Sequence, residues 1–358
     1  MSRAGAAGAR LLVVLLGVLA TLALAGPARA HVGGDAAGSD FDGRVTSVQP
    51  VVPGVTVRVL QFGDALEVVN TTGTEVTVPG YSDEPYLRIG PDGVWRNAHS
   101  PATTINLDRY GRVSLPEDAD PRAEPEWVQV STEPQYTWHD HRTHWMSEEQ
   151  LPPAVAADPT TGHTVFDWTV PMRHGDIAVT VRGELTWSPP PSPAVTWGVH
   201  LALAAAVAAT GLLARSARPL GAAMALGAVA ALWHAAGTPE PPVTVSSHAA
   251  AVVSALLPAV TAALVAALGF VAARRGRGVV TGLTAVVLGW LLLVQGLPDV
   301  DVLWSANVAT GGPAFLARAA VAVLVAGGAG LVVGGLAAAR RFRDPERARP
   351  EPLARAEA

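Results

Sequence analysis

Cysteine is absent from the 358-residue chain, and so is lysine: all 25 basic residues are arginine. Without cysteine there is no disulfide, no thiolate metal site, no iron–sulfur cluster and no cysteine nucleophile. An exported domain of this chain must be held by its apolar core alone. Charge is scarce at 15% and aromatics at 6%, whereas 49% of residues are hydrophobic. The G-x-S-x-G elbow, the H-E-x-x-H pair and the P-loop are also missing, which argues against the commonest hydrolase and nucleotide sites.

What is present is unevenly spread. Residues 197–339 are built of long Ala, Val, Leu and Gly runs. Five of these reach the roughly 20 residues that a membrane span needs. They run from Trp197 to Ala214, Leu220 to Ala236, Ala249 to Ala273, Val279 to Leu297 and Ala319 to Ala339. Arg215 and Arg218 follow the first span, Arg274, Arg275 and Arg277 the third, and Arg340, Arg341 and Arg343 the fifth. The other two loops carry Glu240, Asp299 and Asp301, with Arg318 at the edge of the last span. The positive-inside rule then expects a multi-pass protein of the plasma membrane with a cytoplasmic C-terminus and an extracytoplasmic N-terminal domain. Glycines at 327, 328, 330, 334 and 335 predict close helix packing within the bundle in preference to a dimer face. His200, His234 and His248, with Asp299 and Asp301, fall at the outer ends of the spans. Ionisable groups there are candidates for a shared metal or proton site, or ordinary interfacial residues.

The first 30 residues read as a signal peptide: an Arg-containing start, an apolar stretch, and Ala28-Arg29-Ala30 as cleavage site. Cleavage would leave His31 as the first residue. Its amine and imidazole together can chelate a metal. Residues 31–187 form the expected extracytoplasmic domain, 188–196 a stiff Pro-rich linker, 197–339 the membrane domain and 340–358 a charged cytoplasmic tail. From 31 to 196 there are 10 Arg against 23 Asp and Glu, a net charge of −13. That surface repels nucleic acid and anionic lipid and attracts cations.

Within the exported part, short alternating runs predict strands. Val55 to Val59 is one. Leu66 to Val69 and Thr74 to Val78 flank an Asn-Thr-Thr-Gly turn and read as a hairpin. Tyr86 to Ile89 and Val94 to Arg96 flank Pro91-Asp92-Gly93. Further strands are expected from Trp127 to Val130, Tyr136 to Arg142, Thr164 to Trp168 and Asp176 to Trp187. Roughly eight short strands of this kind predict an all-β ectodomain, an immunoglobulin-like or cupredoxin-like sandwich, ahead of an all-α bundle of five transmembrane helices.

The chemistry concentrates in Trp138-His139-Asp140-His141-Arg142-Thr143-His144-Trp145-Met146. On a strand His139 and His141 project to one face, where two imidazoles reach one ion. His144 can fold back as a third ligand. Met146 offers a thioether, which favours copper, Cu(I) above all. Asp140 and Arg142 are expected to form an ion pair, or Asp140 to orient an imidazole. The candidate metal ligands are therefore His139, His141 and His144, then His31 and Met146, with copper preferred and zinc the alternative. His99, His163 and His174 are the other ectodomain histidines that a terminal chelate at His31 can draw on. The competing reading is a hydrogen-bonded structural cluster in an envelope scaffold or interaction module that binds a protein partner.

Together with Glu84-Pro85-Tyr86-Leu87-Arg88-Ile89, Gly93-Val94-Trp95-Arg96-Asn97 and Ser100-Pro101-Ala102, this motif resembles a family of actinobacterial membrane-anchored proteins without an assigned activity. The resemblance implies the same architecture and no particular reaction. His31 and the sandwich-plus-bundle plan are also similar to CopC/CopD-type copper proteins. That likeness implies copper acquisition, delivery or tolerance. It does not extend to the strand pattern, and five spans are fewer than a CopD domain has.

Overall fold

The computed structural model describes residues 37–343. The expected signal peptide, His31 and the end of the tail lie outside the described residues. The rest is a β-rich domain followed by a helical bundle.

The strands are β1 (Gly38–Ser39), β2 (Phe41–Gln49), β3 (Val55–Leu60), β4 (Ala65–Asn70), β5 (Val76–Pro79), β6 (Pro85–Gly90), β7 (Gly93–Asn97), β8 (Trp127–Ser131), β9 (Gln135–His139), β10 (His163–His174) and β11 (Ile177–Trp187). Two short helices intervene, α1 (Pro101–Ile105) and α2 (Pro153–Ala157). One antiparallel sheet has the order β2-β11-β10-β5-β6-β7-β8, and a second has the order β3-β4-β9. The two sheets pack face to face. Leu66, Val68 and Trp138 from the small sheet meet Val78, Leu87, Ile89, Val170 and Val181 from the large one, all buried. A fully buried aliphatic side chain contributes roughly 1.5–3 kcal/mol, so this core holds the domain together without any disulfide.

Two strand expectations change. The segments around Leu66 and Val76 are not a hairpin, because β4 pairs with β3 and β9 while β5 pairs with β6 and β10. The Asn70 side chain donates to Thr74 O and Ile89 O, both at 2.8 Å. It thereby ties an arch from one sheet to the other, and local sequence does not separate such an arch from a turn. The strand expected to run on to Arg142 stops at His139. β2 was not anticipated; its register against β11 is broken at Arg182/Gly183, which blurs its alternation.

The bundle comprises α3 (Pro193–Leu212), α4 (Arg218–Ala236), α5 (His248–Arg274), α6 (Gly278–Gly296) continued by a 3-10 stretch (Leu297–Leu303), and α7 (Ala314–Ala322) joined through a π turn to α8 (Gly328–Arg341). These make five helices long and apolar enough to cross a membrane. The expected glycine packing is internal to the bundle. A Cβ at Gly330 would meet Ala204 O, one at Gly334 would meet Ala208 O, one at Gly335 would meet Gly282 O, and one at Gly289 would meet Gly328 O. Only bare backbone lets α8 approach α3 and α6 so closely.

The domain rests directly on the bundle. α3 already begins at Pro193, which shortens the linker to 188–192. β1 pairs with β12 (Asn307–Val308) from the α6–α7 connection. Gly38 N donates to Asp301 Oδ2 at 3.0 Å and Ala306 N to Asp40 Oδ1 at 2.9 Å. From the α4–α5 loop, Val243 N donates to Glu67 Oε2 at 2.7 Å, and Glu240 pairs with Arg58.

Candidate metal centre

β9 delivers His139 opposite Ala65, at the end of the small sheet. The chain then turns. Arg142 N donates to Asp140 Oδ1 at 3.1 Å and Thr143 N to Asp140 O at 3.2 Å. Asp140 is fully buried. It takes a bidentate pair from Arg142, Nε to Oδ1 at 2.8 Å and Nη2 to Oδ2 at 2.7 Å, and a third bond from Trp138 Nε1 at 2.8 Å. The expected ion pair is present, and no imidazole is its partner. Thr143 Oγ1 donates to Gly63 O. This anchored turn, and not strand alternation, carries His141 and His144 back to His139.

One ring nitrogen from each of His139, His141 and His144 lies within 4.8 Å of the others, close enough to hold a metal ion. Ring centroids are 5.1 Å apart for His139–His141, 4.6 Å for His139–His144 and 5.6 Å for His141–His144. Each ring is also tied to a backbone carbonyl. His141 Nε2 reaches Asp108 O at 2.8 Å, His144 Nδ1 reaches Trp145 O at 3.0 Å, and His139 Nε2 faces Arg109 O at 3.4 Å. A carbonyl only accepts, so the facing nitrogen carries the proton and the other keeps its lone pair. His144 is 2% exposed, and its Nε2 is buried with no hydrogen-bond partner among the described residues. A buried polar atom without a partner is costly, and a metal ion is one partner that removes the cost.

Burial pushes the His139 imidazole down to about 4 and the His144 imidazole down to about 3, with the neighbouring imidazoles and Arg109 adding to the effect. Both are neutral near pH 7, which is the ligating form. The Arg109 guanidinium is engaged by Asp64.

Several supporting residues were not legible in the sequence. Asp108 and Arg109 supply carbonyls from thirty residues upstream. Tyr81 stacks on His141 at 5.9 Å, and its hydroxyl accepts from His141 N at 3.0 Å. Gly111, at φ +65°, leaves room beside His141, where a Cβ would stand 3.2 Å from Cε1. A turn signal at Asp108–Gly111 was available, but nothing linked it to the histidines.

The other described ectodomain histidines have partners of their own. His99 faces Glu124 O, His163 faces Asp158 O and His174 faces Thr72 Oγ1. Met146 is 39% exposed, two residues past His144. His31 falls outside the described residues. At the bundle's end, His248 bonds Thr238 O and His200 bonds Thr196 O, while His234 pairs with Asp299. These do not form one group: among the described residues, only His139, His141 and His144 bring three such ligands together. No protein-family model, curated protein or solved structure matches the chain.

Proposed function

We propose that the chain is a membrane-anchored extracytoplasmic metal-binding protein that handles copper, for acquisition, delivery or tolerance. The observation that carries the reading is the buried, unpartnered Nε2 of His144 beside two imidazoles whose protonation is fixed by carbonyls. A purely structural cluster would have no reason to leave that atom unsatisfied. The donor set contains neither thiolate nor carboxylate. Imidazole suits copper and zinc alike, and the thioether of Met146 favours copper. Met146 and, after signal-peptide cleavage, His31 are the further ligands in this reading.

The orientation is also ours. Arginines cluster at the ends of the bundle away from the β-domain, which supports a cytoplasmic face there. Arg318 is the exception, and its guanidinium is held by Val302 O, Ser305 O and Ala306 O.

The scaffold alternative draws on one observation, that each imidazole already has a carbonyl partner. Titration of the full-length protein in lipid nanodiscs with Cu(I), Cu(II) and Zn(II) separates the two. His139→Ala with His141→Ala is expected to abolish high-affinity binding. Unchanged binding removes the site assignment, and no binding by the native protein removes the metal reading.

A further inference from the structure

Glu67 is a fully buried carboxylate on the outward face of its sheet. On β4, Leu66 and Val68 point into the sandwich core. Alternation turns Glu67 the other way, yet it is 0% exposed. The α4–α5 loop of the bundle reaches this face. Val243 N donates to Glu67 Oε2 at 2.7 Å, and Glu240 of the same loop pairs with Arg58. Glu67 Oε1 accepts from Arg58 Nε at 2.8 Å. A buried carboxylate is costly unless its oxygens are paired, and here one of the partners comes from the membrane half.

The same outward face carries the triad. In the β4–β9 pairing Glu67 stands opposite Thr137, and Ala65 opposite His139. Thr137 and His139 therefore project to one face of β9, about 7 Å apart along the strand. Thr137 Oγ1 donates at 3.0 Å to Glu67 Oε2, the oxygen that Val243 N also reaches. A single carboxylate oxygen thus joins the bundle loop to β9 just before the strand delivers His139. Of the three imidazoles, His139 has the longest carbonyl contact, 3.4 Å against 2.8 Å for His141 and 3.0 Å for His144. Its place depends most on its strand.

We propose that Glu67 is a positioning residue for the metal centre, and that the α4–α5 loop, acting through it, sets the affinity of the triad. This rests on the metal reading of the triad. With the Val243 N–H in place, Glu67 Oε2 is fixed and Thr137 with it, and β9 presents His139 where His141 and His144 can share its ion. Without that donor the carboxylate keeps Arg58 but loses its tie to the bundle, and the end of β9 is freed to shift. Coupling of this kind is reciprocal: an ion on the triad tightens the hold of the β-domain on the loop.

Val243 is the residue to change, because it belongs to the loop and not to β9. Val245 N donates to Pro242 O at 3.0 Å, which makes residue 243 the second of a turn, where proline fits. Val243→Pro deletes the N–H, and Val243→Ala keeps it. Full-length protein in nanodiscs is titrated with Cu(I) and with Zn(II) against a chromogenic chelator. Val243→Pro is expected to weaken binding by about 5-fold or more, and Val243→Ala to bind as the native protein does. Glu67→Gln is expected to weaken it at least as much as Val243→Pro. Combining the two is expected to add nothing further, since both act through one oxygen. Equal affinities in the native protein and Val243→Pro overturn the proposal and leave the triad reading standing. A loss in Val243→Ala as large as in Val243→Pro overturns it too. Failure of the native protein to bind either ion overturns the proposal and the triad reading together. Hydrogen exchange of the native protein decides without relying on any variant's folding. The amides of residues 243–247 are expected to exchange more slowly once the ion is bound, and unchanged exchange overturns the coupling.

Discussion

His144 shows how burial prepares an imidazole for a metal. Excluding water costs the charged form most, so His144 is held down to about 3 and His139 to about 4. Protons then compete poorly for these nitrogens. Metal affinity is expected to fall less steeply from pH 7 to about 5 than it would for a site whose ligands all titrate near 6.5; competition titrations across that range measure this. For the metal-free protein the sign is fixed by linkage. Below about 6.5 the unfolded histidines take up protons that the folded ones refuse. Stability is therefore full above that pH and falls as pH drops towards about 4, which thermal melts at stepped pH would record. Asp140 makes a second prediction at this scale. Asp140→Asn leaves the Arg142 guanidinium, whose side chain is 19% exposed, without its counter-charge. Breaking such a buried pair costs about 3–5 kcal/mol, readable by denaturant unfolding, with metal affinity lost alongside because the turn no longer holds His141 and His144.

Among the elements, what the sequence made legible depended on how local the signal was. The five spans were readable because length and apolarity are local properties. So was the β6–β7 hairpin, where Gly93 takes φ +110° at the turn. The β4–β5 arch was not, since whether two strands share a sheet depends on partners far along the chain. The triad was legible as residues but for the wrong geometric reason. Alternation along a strand was expected to align His139 with His141, and instead Asp140 ends the strand and folds a turn. Its carbonyl supports at Asp108 and Arg109 were invisible for the same reason of distance. The helical glycines were readable as a packing stripe, though not as to which neighbour they meet. Gly211 packs on the backbone of Gly334 with no room for a side chain. Gly211→Leu is expected to push α3 from α8 and cost about 1–3 kcal/mol, seen as a lower unfolding midpoint in detergent. An unchanged midpoint would mean the helices do not pack this way.

On the scale of the molecule, charge and topology agree. The β-domain side is strongly acidic and the far ends of the helices are arginine-rich. Because the chain has no cysteine, single-cysteine variants report sidedness without background. Ser147→Cys is expected to react with an impermeant thiol reagent added outside intact cells, and Ser216→Cys only after lysis. The reverse pattern would invert the proposed orientation. The seam between the halves, built by β1–β12, Glu67–Val243 and Asp301–Gly38, makes the domain and bundle one unit, so under the proposed function a metal held by the triad belongs to the whole assembly and not to the domain alone. X-ray absorption of the full-length protein, loaded with one equivalent of copper, tests that chemistry most directly. Three imidazole nitrogens around the metal, falling to one in the His139→Ala, His141→Ala variant, is the predicted result. A native spectrum with fewer than two imidazoles, or one that the double variant leaves unchanged, would contradict it.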